Sequence, residues 1–195
     1  MSQWAAPVGS FFSFGRKMDT LPIDELNNLK SYLDVAISRI SVDEAIDDVL
    51  DVLIVGWANG LEYAASVLGG SYLDYTDLQE SLEKRIDGKN YADRVREHFE
   101  NGDVDGIIRV ADTESHRLYN ESVFESAKRS GKEVYKTWVT MGDDKVRDPH
   151  VLLDGVTIPL DELFYTDGVG AKAPGMFGVP ELDINCRCII TLTTS

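Results

Sequence analysis

Apolar residues recur every three or four positions through the first half of the chain, a spacing that predicts amphipathic helices. The first such segment, residues 23–40, follows Pro22, which suits a helix start. A second helix is predicted from Ser41, whose spacing to Glu44 fits a capping box, and it ends at a pair of glycines. The large apolar residues that we expect on its buried face are Ile46, Leu50, Leu53, Trp57 and Leu61.

Three more helices are predicted before the pattern changes. Thr76 and Gln79 repeat the capping-box spacing ahead of a short helix that reaches Ile86. The longest helix is predicted over residues 103–130, with Gly131 as its C-cap. Between these two, four-residue steps mark one helix through Tyr91, Val95 and Phe99.

The last third of the chain has the composition of a small sheet. Residues 134–141 are rich in β-branched and aromatic residues and predict a strand, and residues 184–193 predict a final one. Between them, residues 160–164 fit a single helical turn, and residues 168–180 form a loop rich in glycine and proline. The predicted class is therefore α+β, with a helical N-terminal region followed by a long helix packed on a small antiparallel sheet.

Negative charge is concentrated in the predicted N-terminal helices. The formal net charge is −15, and residues 19–83 hold fourteen acidic residues against only Lys30 and Arg39. Such a region is repelled by DNA, and it suits either a solvated face or a basic partner surface. The acids expected on the outer face of the second helix are Asp43, Asp47, Asp48 and Asp51.

The chain is predicted to have three regions. Residues 1–18 have no basic segment ahead of their apolar residues, which makes them a poor signal peptide. We expect them to form an N-terminal arm whose aromatic residues dock on this chain or on a neighbour. Residues 19–88 are the acidic helical region, and residues 89–195 are an α+β core domain. No apolar run reaches the ~20 residues that span a bilayer, so no membrane partner is expected.

Cys186 and Cys188 are the two cysteines of the chain. They are too few for a disulfide framework, and a bridge across one residue is strained, so we expect free thiols in a reducing cytoplasm. Thiolates and imidazole are ligands that zinc favours, which makes a site with His150 one interpretation, with His116 or Asp143 as a fourth ligand. A regular last strand would project both cysteines to one face. We favour the other interpretation, two small buried residues that pack a strand, and we predict no cofactor.

Short motifs follow one another in a fixed order over residues 90–192. They are R-V-A-D-T-E-S-H-R-L-Y-N at residues 109–120, K-T-W-V-T at 136–140, D-D-K-V-R-D-P-H at 143–150, L-D-G-V-T-I-P-L at 153–160 and N-C-R-C-I-I at 185–190. Their order and spacing resemble the phage head-morphogenesis, or minor head protein, family typified by the minor head protein of phage Mu.

The resemblance implies a structural minor head protein of a tailed bacteriophage that takes part in capsid assembly. Its implied partner is the phage portal, the major capsid protein, or both. Its implied location is the virion head near the portal vertex, after a period in the host cytoplasm during assembly.

Two other classes of function stay open from the residues. In a metal-free ribonuclease, His150 would be the general acid or base, Glu114 its partner, and Arg147 or Arg117 the group that stabilises a phosphate. Toxin domains occur fused to members of the resembled family, which keeps this alternative open. The other class is a DNA-associated ejection protein, although we do not expect direct nucleic-acid binding. Its only support is a group of cations that also suits a helix C-terminus, namely Lys128, Arg129, Lys132 and Lys136.

The same polar residues have a structural interpretation, which we favour because no nucleophile motif or phosphate-binding loop accompanies them. We expect an internal network that fixes loop geometry, in which Arg147 pairs with a carboxylate of Glu114, Asp143 or Asp144. Trp138 is expected in the core. The predicted members of the network are Glu114, Arg117, Asp143, Arg147, His150 and Asn185.

Overall fold

The computed structural model describes residues 23–195, so the predicted N-terminal arm lies outside the described residues. Helices come first in the described chain: α1 Ile23–Ala36, α2 Val42–Leu68, α3 Tyr75–Leu82, α4 Tyr91–Glu100 and α5 Val104–Ser130. The remaining elements are β1 Val134–Val139, α6 Asp148–Val151, β2 Thr157–Pro159, β3 Phe164–Thr166, β4 Val169–Ala171, α7 Pro180–Asp183 and β5 Ile189–Thr194. The predicted α+β class is confirmed.

The start of α2 is the predicted capping box. The Ser41 hydroxyl accepts a hydrogen bond from the backbone N–H of Glu44, and the Glu44 carboxylate accepts one from the backbone N–H of Ser41 at 2.6 Å. The helix ends at Gly69, which has a left-handed φ of 77°. The N-terminal neighbour, α1, stops at Ala36, and residues 37–40 form turns instead of the predicted last helical turn.

The buried face of α2 is rotated from the predicted stripe. Leu53 and Trp57 are buried, but Ile46, Leu50 and Leu61 are only partly so. The reason is that small residues face α5, and a stripe chosen from large apolar residues misses them. The buried small residues of α2 are Ala45, Gly56, Gly60 and Ala64.

Two of these small residues let α2 approach the backbone of α5. A Cβ atom added to Gly56 would lie 2.7 Å from the carbonyl oxygen of Ser115. A Cβ on Gly60 would collide with the hydroxyl of Ser122 and the carbonyl of Tyr119. Glycine, which lacks this atom, is therefore required for the close packing of the two long helices.

The α2 and α5 helices contribute to both hydrophobic cores of the described chain. One core lies among the helices and includes Leu33, Leu53 and Val95. The other lies between the helices and the sheet and includes Leu68 of α2 and Trp138 of β1, which is fully buried as predicted. The helical region and the sheet thus share the same two long helices.

The predicted start and end of α3 are wrong. The helix is capped by Asp74, which forms a capping box with Asp77, so Thr76 lies within the first turn. A carboxylate cap satisfies two backbone N–H groups here, which explains why the helix starts two residues earlier. The helix also stops short of Ile86, because Ile86 pairs with Lys89 in an isolated antiparallel bridge.

The sheet has β1 at its centre. It pairs antiparallel with β2, where Tyr135 lies opposite Pro159, and with β5, where Trp138 lies opposite Ile190. The helical turn predicted for residues 160–164 is wrong, since Phe164 begins β3. Likewise, the loop predicted for residues 168–180 contains β4, which pairs with β3 as a hairpin.

The last strand is shorter than predicted. It starts at Ile189, so Cys186 and Cys188 precede it in an irregular segment. Asn185 has a left-handed φ of 58°, which interrupts any extended strand at that point. Among the described residues, no helix combines the length and apolarity needed to cross a bilayer.

Candidate functional site

Three charged residues of α5 form a buried row along one helix face. Glu114, Arg117 and Glu121 are spaced three and four residues apart, so their side chains lie one above another. The Arg117 Nε donates to the Glu114 carboxylate at 2.8 Å, and its terminal nitrogen donates to the Glu121 carboxylate at 2.5 Å. All three side chains are at most 5% exposed. This row is the centre of the buried ion-pair network.

Neighbouring helices complete the buried ion-pair network. Arg94 of α4 donates to the second carboxylate oxygen of Glu114 at 2.6 Å. Ser81 of α3 donates to Glu121 at 2.5 Å and accepts from Arg117 through its backbone carbonyl at 3.0 Å. Lys84, just beyond α3, pairs with Glu121. The network therefore ties α3 and α4 to α5 through charged hydrogen bonds.

The electrostatics of Glu114 follow from this arrangement. Burial alone would raise its pKa, but Arg117 and Arg94 outweigh burial and hold the pKa below the ordinary value. Glu114 is consequently ionised at neutral pH, with both oxygens engaged by arginines. A carboxylate held in this way is a poor general base.

The residues that were predicted to form one polar network belong to separate groups in the structure. Arg147 does not pair with a carboxylate among the described residues; its guanidinium donates to the carbonyls of Leu182 and Ile184 at 2.5 and 2.6 Å. Asp143 instead receives two hydrogen bonds from Arg187, at 2.7 and 2.9 Å. The prediction failed here because the end of α7 presents two main-chain acceptors that no side-chain pattern signals.

Asn185 belongs to neither charged group. Its backbone N–H donates to the Thr113 hydroxyl of α5 at 3.0 Å. Asn120 of α5 links the same segment to the long helix. Its side-chain amide donates a hydrogen bond to the carbonyl of Cys188 at 3.0 Å and accepts one from the backbone N–H of Ile190 at 2.9 Å. The fully buried Asn120 was not predicted as a functional residue, and it fixes the start of β5 against the long helix.

His150 comes together with both cysteines in a buried cluster, which we call the His-Cys cluster: His150, Cys186 and Cys188. The His150 Nδ1 lies 3.6 Å from the sulfur of Cys186 and 3.6 Å from that of Cys188. All three residues are at most 4% exposed, and neither cysteine is in a disulfide. The imidazole packs edge-on against Trp138 and stacks on Phe177.

The two thiols of the His-Cys cluster have opposite electrostatic environments. A hydrogen bond from Cys186 lowers the pKa of Cys188, and Arg147 and Arg187 add to this effect. The same hydrogen bond, together with burial, raises the pKa of Cys186. Cys188 is thus the thiol that ionises first.

Glu114 and His150, the acid–base pair of the ribonuclease interpretation, do not contact each other. Glu114 is bound by arginines, whereas His150 faces sulfur atoms. Neither predicted fourth metal ligand belongs to the His-Cys cluster formed by the described residues. His116 bonds to the carbonyl of Asp112 at 2.8 Å, and Asp143 is held by Arg187.

Most side chains of the predicted cationic group bind partners within the protein. Arg129 pairs with Asp77, and Lys132 donates to the carbonyl of Leu68 at 2.7 Å. Lys136 is fully buried and donates to the carbonyl of Lys172 at 2.8 Å. These contacts favour the structural interpretation of the cations over a phosphate-binding surface.

Of the network residues that the sequence analysis missed, Glu121 had a signal in the sequence. Glu121 lies four residues after Arg117, the spacing of a helical ion pair. Ser81 and Arg94 have no such signal, because only the packing of α3 and α4 brings them to α5.

Comparison with known proteins places the chain in a family. Residues 75–191 match the family described as "Phage Mu protein F like protein". The chain is 36% identical over 108 residues to the NAD(+)–arginine ADP-ribosyltransferase EFV of Enterococcus faecalis (strain ATCC 700802 / V583), which covers 53% of this chain and 22% of that protein. It is 39% identical over 85 residues to the minor head protein GP7 of Bacillus phage SPP1, which covers 42% of this chain and 27% of that protein.

The share of each protein that a match covers limits what can be concluded from that match. The chain spans only about a quarter of the length of either curated relative. No solved structure matches it significantly. The family match, however, spans more than half of the chain and includes the buried ion-pair network and the His-Cys cluster. The chain therefore belongs to the Phage Mu protein F like family of phage head-morphogenesis proteins.

Proposed function

We propose that the protein is a structural, non-enzymatic minor head protein of a tailed bacteriophage, which associates with the portal or the major capsid protein during head assembly. The observation that carries the proposal is the buried ion-pair network centred on Arg117. It lies within the family-matched residues, and its charged groups hold three helices together, although Ser81, Lys84 and Glu121 also line a cavity of about 200 Å³. The similarity to the minor head protein of phage SPP1 supports the same role.

We assign different roles to the two larger regions. Residues 89–195 act as the folded scaffold, and residues 19–88 supply an acidic docking surface. Asp47 and Asp51 of α2 are exposed, as expected for a docking face. Asp48 is only partly exposed, and burial and the neighbouring acids raise its pKa, so it contributes less to this surface. A basic surface on the partner is the matching chemistry.

The proposed location is the virion head near the portal vertex, reached from the host cytoplasm during assembly. Ejection with bound DNA is not favoured. Arg129, Lys132 and Lys136 have internal partners, so they offer few charges to phosphates.

The absence of catalysis is part of the proposal. The transferase activity in the name of the Enterococcus protein belongs to a chain of which this one matches 22%, so it is not carried over. The nuclease alternative needs Glu114 beside His150, whereas Glu114 is bound by Arg94 and Arg117. Purified protein should therefore cleave neither RNA nor DNA at neutral pH.

The direct experiment is co-expression of the full chain with the portal protein of the same phage, followed by size-exclusion chromatography. We expect the two to elute together. Asp47→Lys with Asp51→Lys should weaken the complex, and Asp161→Lys with Glu162→Lys, exposed acids outside residues 19–88, is the matched control. An equal effect of both pairs would assign binding to overall acidity and not to α2. Failure to bind either portal or capsid protein, or nuclease activity lost in His150→Ala, would overturn the proposal.

A further inference from the structure

We propose that His150, Cys186 and Cys188 form a zinc site that stabilises the sheet end of the protein, with a water molecule as the fourth ligand. The ligand atoms of these three buried residues all lie within 4.8 Å of one another. The site is separate from the proposed docking surface on α2. It also does not depend on the proposed role in head assembly.

The distances within the His-Cys cluster fit one tetrahedral ion. With Zn–N of about 2.05 Å and Zn–S of about 2.3 Å, tetrahedral angles place the nitrogen ~3.6 Å from each sulfur. The His150 Nδ1 lies 3.6 Å from both the Cys186 and the Cys188 sulfur. The two nitrogen–sulfur distances therefore match those of a tetrahedral zinc site.

Hydrogen bonds among the thiols supply one explanation of this arrangement, because Cys186 donates to Cys188, and a metal ion supplies the other. A neutral imidazole nitrogen has one lone pair, which accepts one thiol proton. Here two sulfurs are equally close to the same nitrogen of His150. A metal ion bound to all three atoms uses both sulfurs at once, and two thiolates balance its charge, so that burial leaves no unpaired net charge.

The segment that carries the cysteines is held from several sides. The Arg147 guanidinium binds the carbonyls of Leu182 and Ile184, just before Cys186. The Asn120 amide binds the carbonyl of Cys188 from α5. Such outer contacts orient the segment that carries the cysteines, whereas the Nε2 of His150 is buried with no hydrogen-bond partner among the described residues.

Space for the fourth ligand lies beside the cluster. A cavity of about 10 Å³ is lined by residues that include His150, Cys186 and Cys188. This is roughly the smallest cavity that accommodates one water. Arg147 and Arg187 also line it, so a coordinated water or hydroxide has charged neighbours.

The site would link two distant parts of the chain. His150 lies on α6, and the cysteines lie 36 and 38 residues later, directly before β5. The energy of binding zinc adds to folding energy when the unfolded chain lacks the site. This link would stabilise a part of the protein whose main sheet has three strands.

The test measures metal directly on the full chain. Protein expressed in zinc-supplemented medium should contain close to one zinc per chain by inductively coupled plasma mass spectrometry. After removal of zinc, titration with Co²⁺ should produce a sulfur-to-cobalt charge-transfer band and the intense visible bands of tetrahedral cobalt. A chelator should lower the Tm, and added zinc should restore it.

Variants assign the ligands. Cys188→Ser and His150→Ala should lose the bound zinc and change the cobalt spectrum, whereas His98→Ala should keep both. His98 is a suitable control because it is partly exposed and pairs with Asp103, away from the cysteines. Zinc-free wild-type protein that gives no charge-transfer band at saturating Co²⁺ would refute the site, even if the variants fail to fold. Retention of zinc by Cys188→Ser would refute it as well. Portal binding is measured separately, so failure of either proposal is distinguishable.

Discussion

The Nε of Arg117 lies 2.8 Å from a carboxylate oxygen of Glu114, and both side chains are at most 5% exposed. A buried guanidinium of this kind is tolerated only with full pairing, and Glu121 supplies the second carboxylate. Because Ser81 and Arg94 complete the arrangement, the position of three helices depends on these charges. Stability is therefore the property most directly tested at this site.

Arg117→Ala should destabilise the protein by roughly 3–5 kcal/mol, because it leaves buried carboxylates without their partner. Urea denaturation followed by circular dichroism measures this change. Lys89→Ala is the matched control, since Lys89 and Glu97 are half-exposed and solvent screens the attraction between them. Equal effects of the two substitutions would mean that the Arg117 network is not a buried structural element.

The stability of the protein should fall in acid partly through Glu114. Its native pKa lies below the ordinary 4.5, so the unfolded chain binds more protons as the pH drops below that value. The stabilisation is complete above pH 4.5 and is lost as pH falls through the lowered native pKa.

Glu114→Gln tests whether stability depends on pH in the predicted direction. The variant should be less stable than the parent at neutral pH, and the difference should narrow as denaturation is repeated down to about pH 3. Glu25→Gln, an exposed acid outside the network, should give a curve parallel to the parent. A Glu114→Gln curve parallel to the parent over the whole range would contradict the lowered pKa.

Gly60→Ala should lower the Tm by several degrees. The added methyl group would collide with the Ser122 hydroxyl and the Tyr119 carbonyl, so α2 and α5 must move apart. Overpacking of this kind costs roughly 1–3 kcal/mol, more than the gain of about 1 kcal/mol from alanine in a helix. Gly70→Ala is the control, because its new Cβ would meet nothing nearer than 3.8 Å. Thermal melts that rank the two variants in the opposite order would exclude close packing at Gly60.

Lys136 should make stability rise with pH in mildly alkaline solution. Burial lowers its pKa to about 8 from 10.5, so between these values the unfolded chain binds more protons than the native one. Lys136→Met should remove this part of the rise, and Lys132→Met, at an exposed position, should keep it. Denaturation curves at several pH values between these limits provide the comparison. An unchanged slope in Lys136→Met would contradict a buried charged lysine.

The sequence predicted what depends on local periodicity and caps. The Ser41 cap, the span of α5 and the class of the fold follow from residues close together in the chain. What it did not predict depends on distant packing. Ser81 reaches Glu121, and Arg94 reaches Glu114, only because α3 and α4 pack on α5, and no pattern within α3 or α4 signals this.

The region of the His-Cys cluster is a mixed case. Residue type pointed to Cys186, Cys188 and His150 as possible ligands, and the structure brings them together. The expected reason, a regular strand with both cysteines on one face, is wrong, because the segment is irregular around Asn185. Residue chemistry was the better guide at this position than the secondary-structure pattern.

Arg147 provides the last prediction. Its guanidinium donates to the carbonyls of Leu182 and Ile184, so Arg147→Ala leaves two acceptors without this partner. A buried acceptor left unsatisfied costs roughly 1–3 kcal/mol of folding free energy. Because Ile184 is partly exposed, water can hydrogen-bond to its carbonyl in the variant, so we expect the destabilisation to be near the lower end of that range. Arg147→Lys should recover only part of it, because an ammonium lacks the planar fork that serves two carbonyls. Thermal and urea melts of both variants beside Lys145→Ala, at an exposed neighbouring position, measure the effect. Unchanged stability combined with lost portal binding would make Arg147 a docking residue. Its assignment as a residue that stabilises the fold through these two carbonyls would then be wrong.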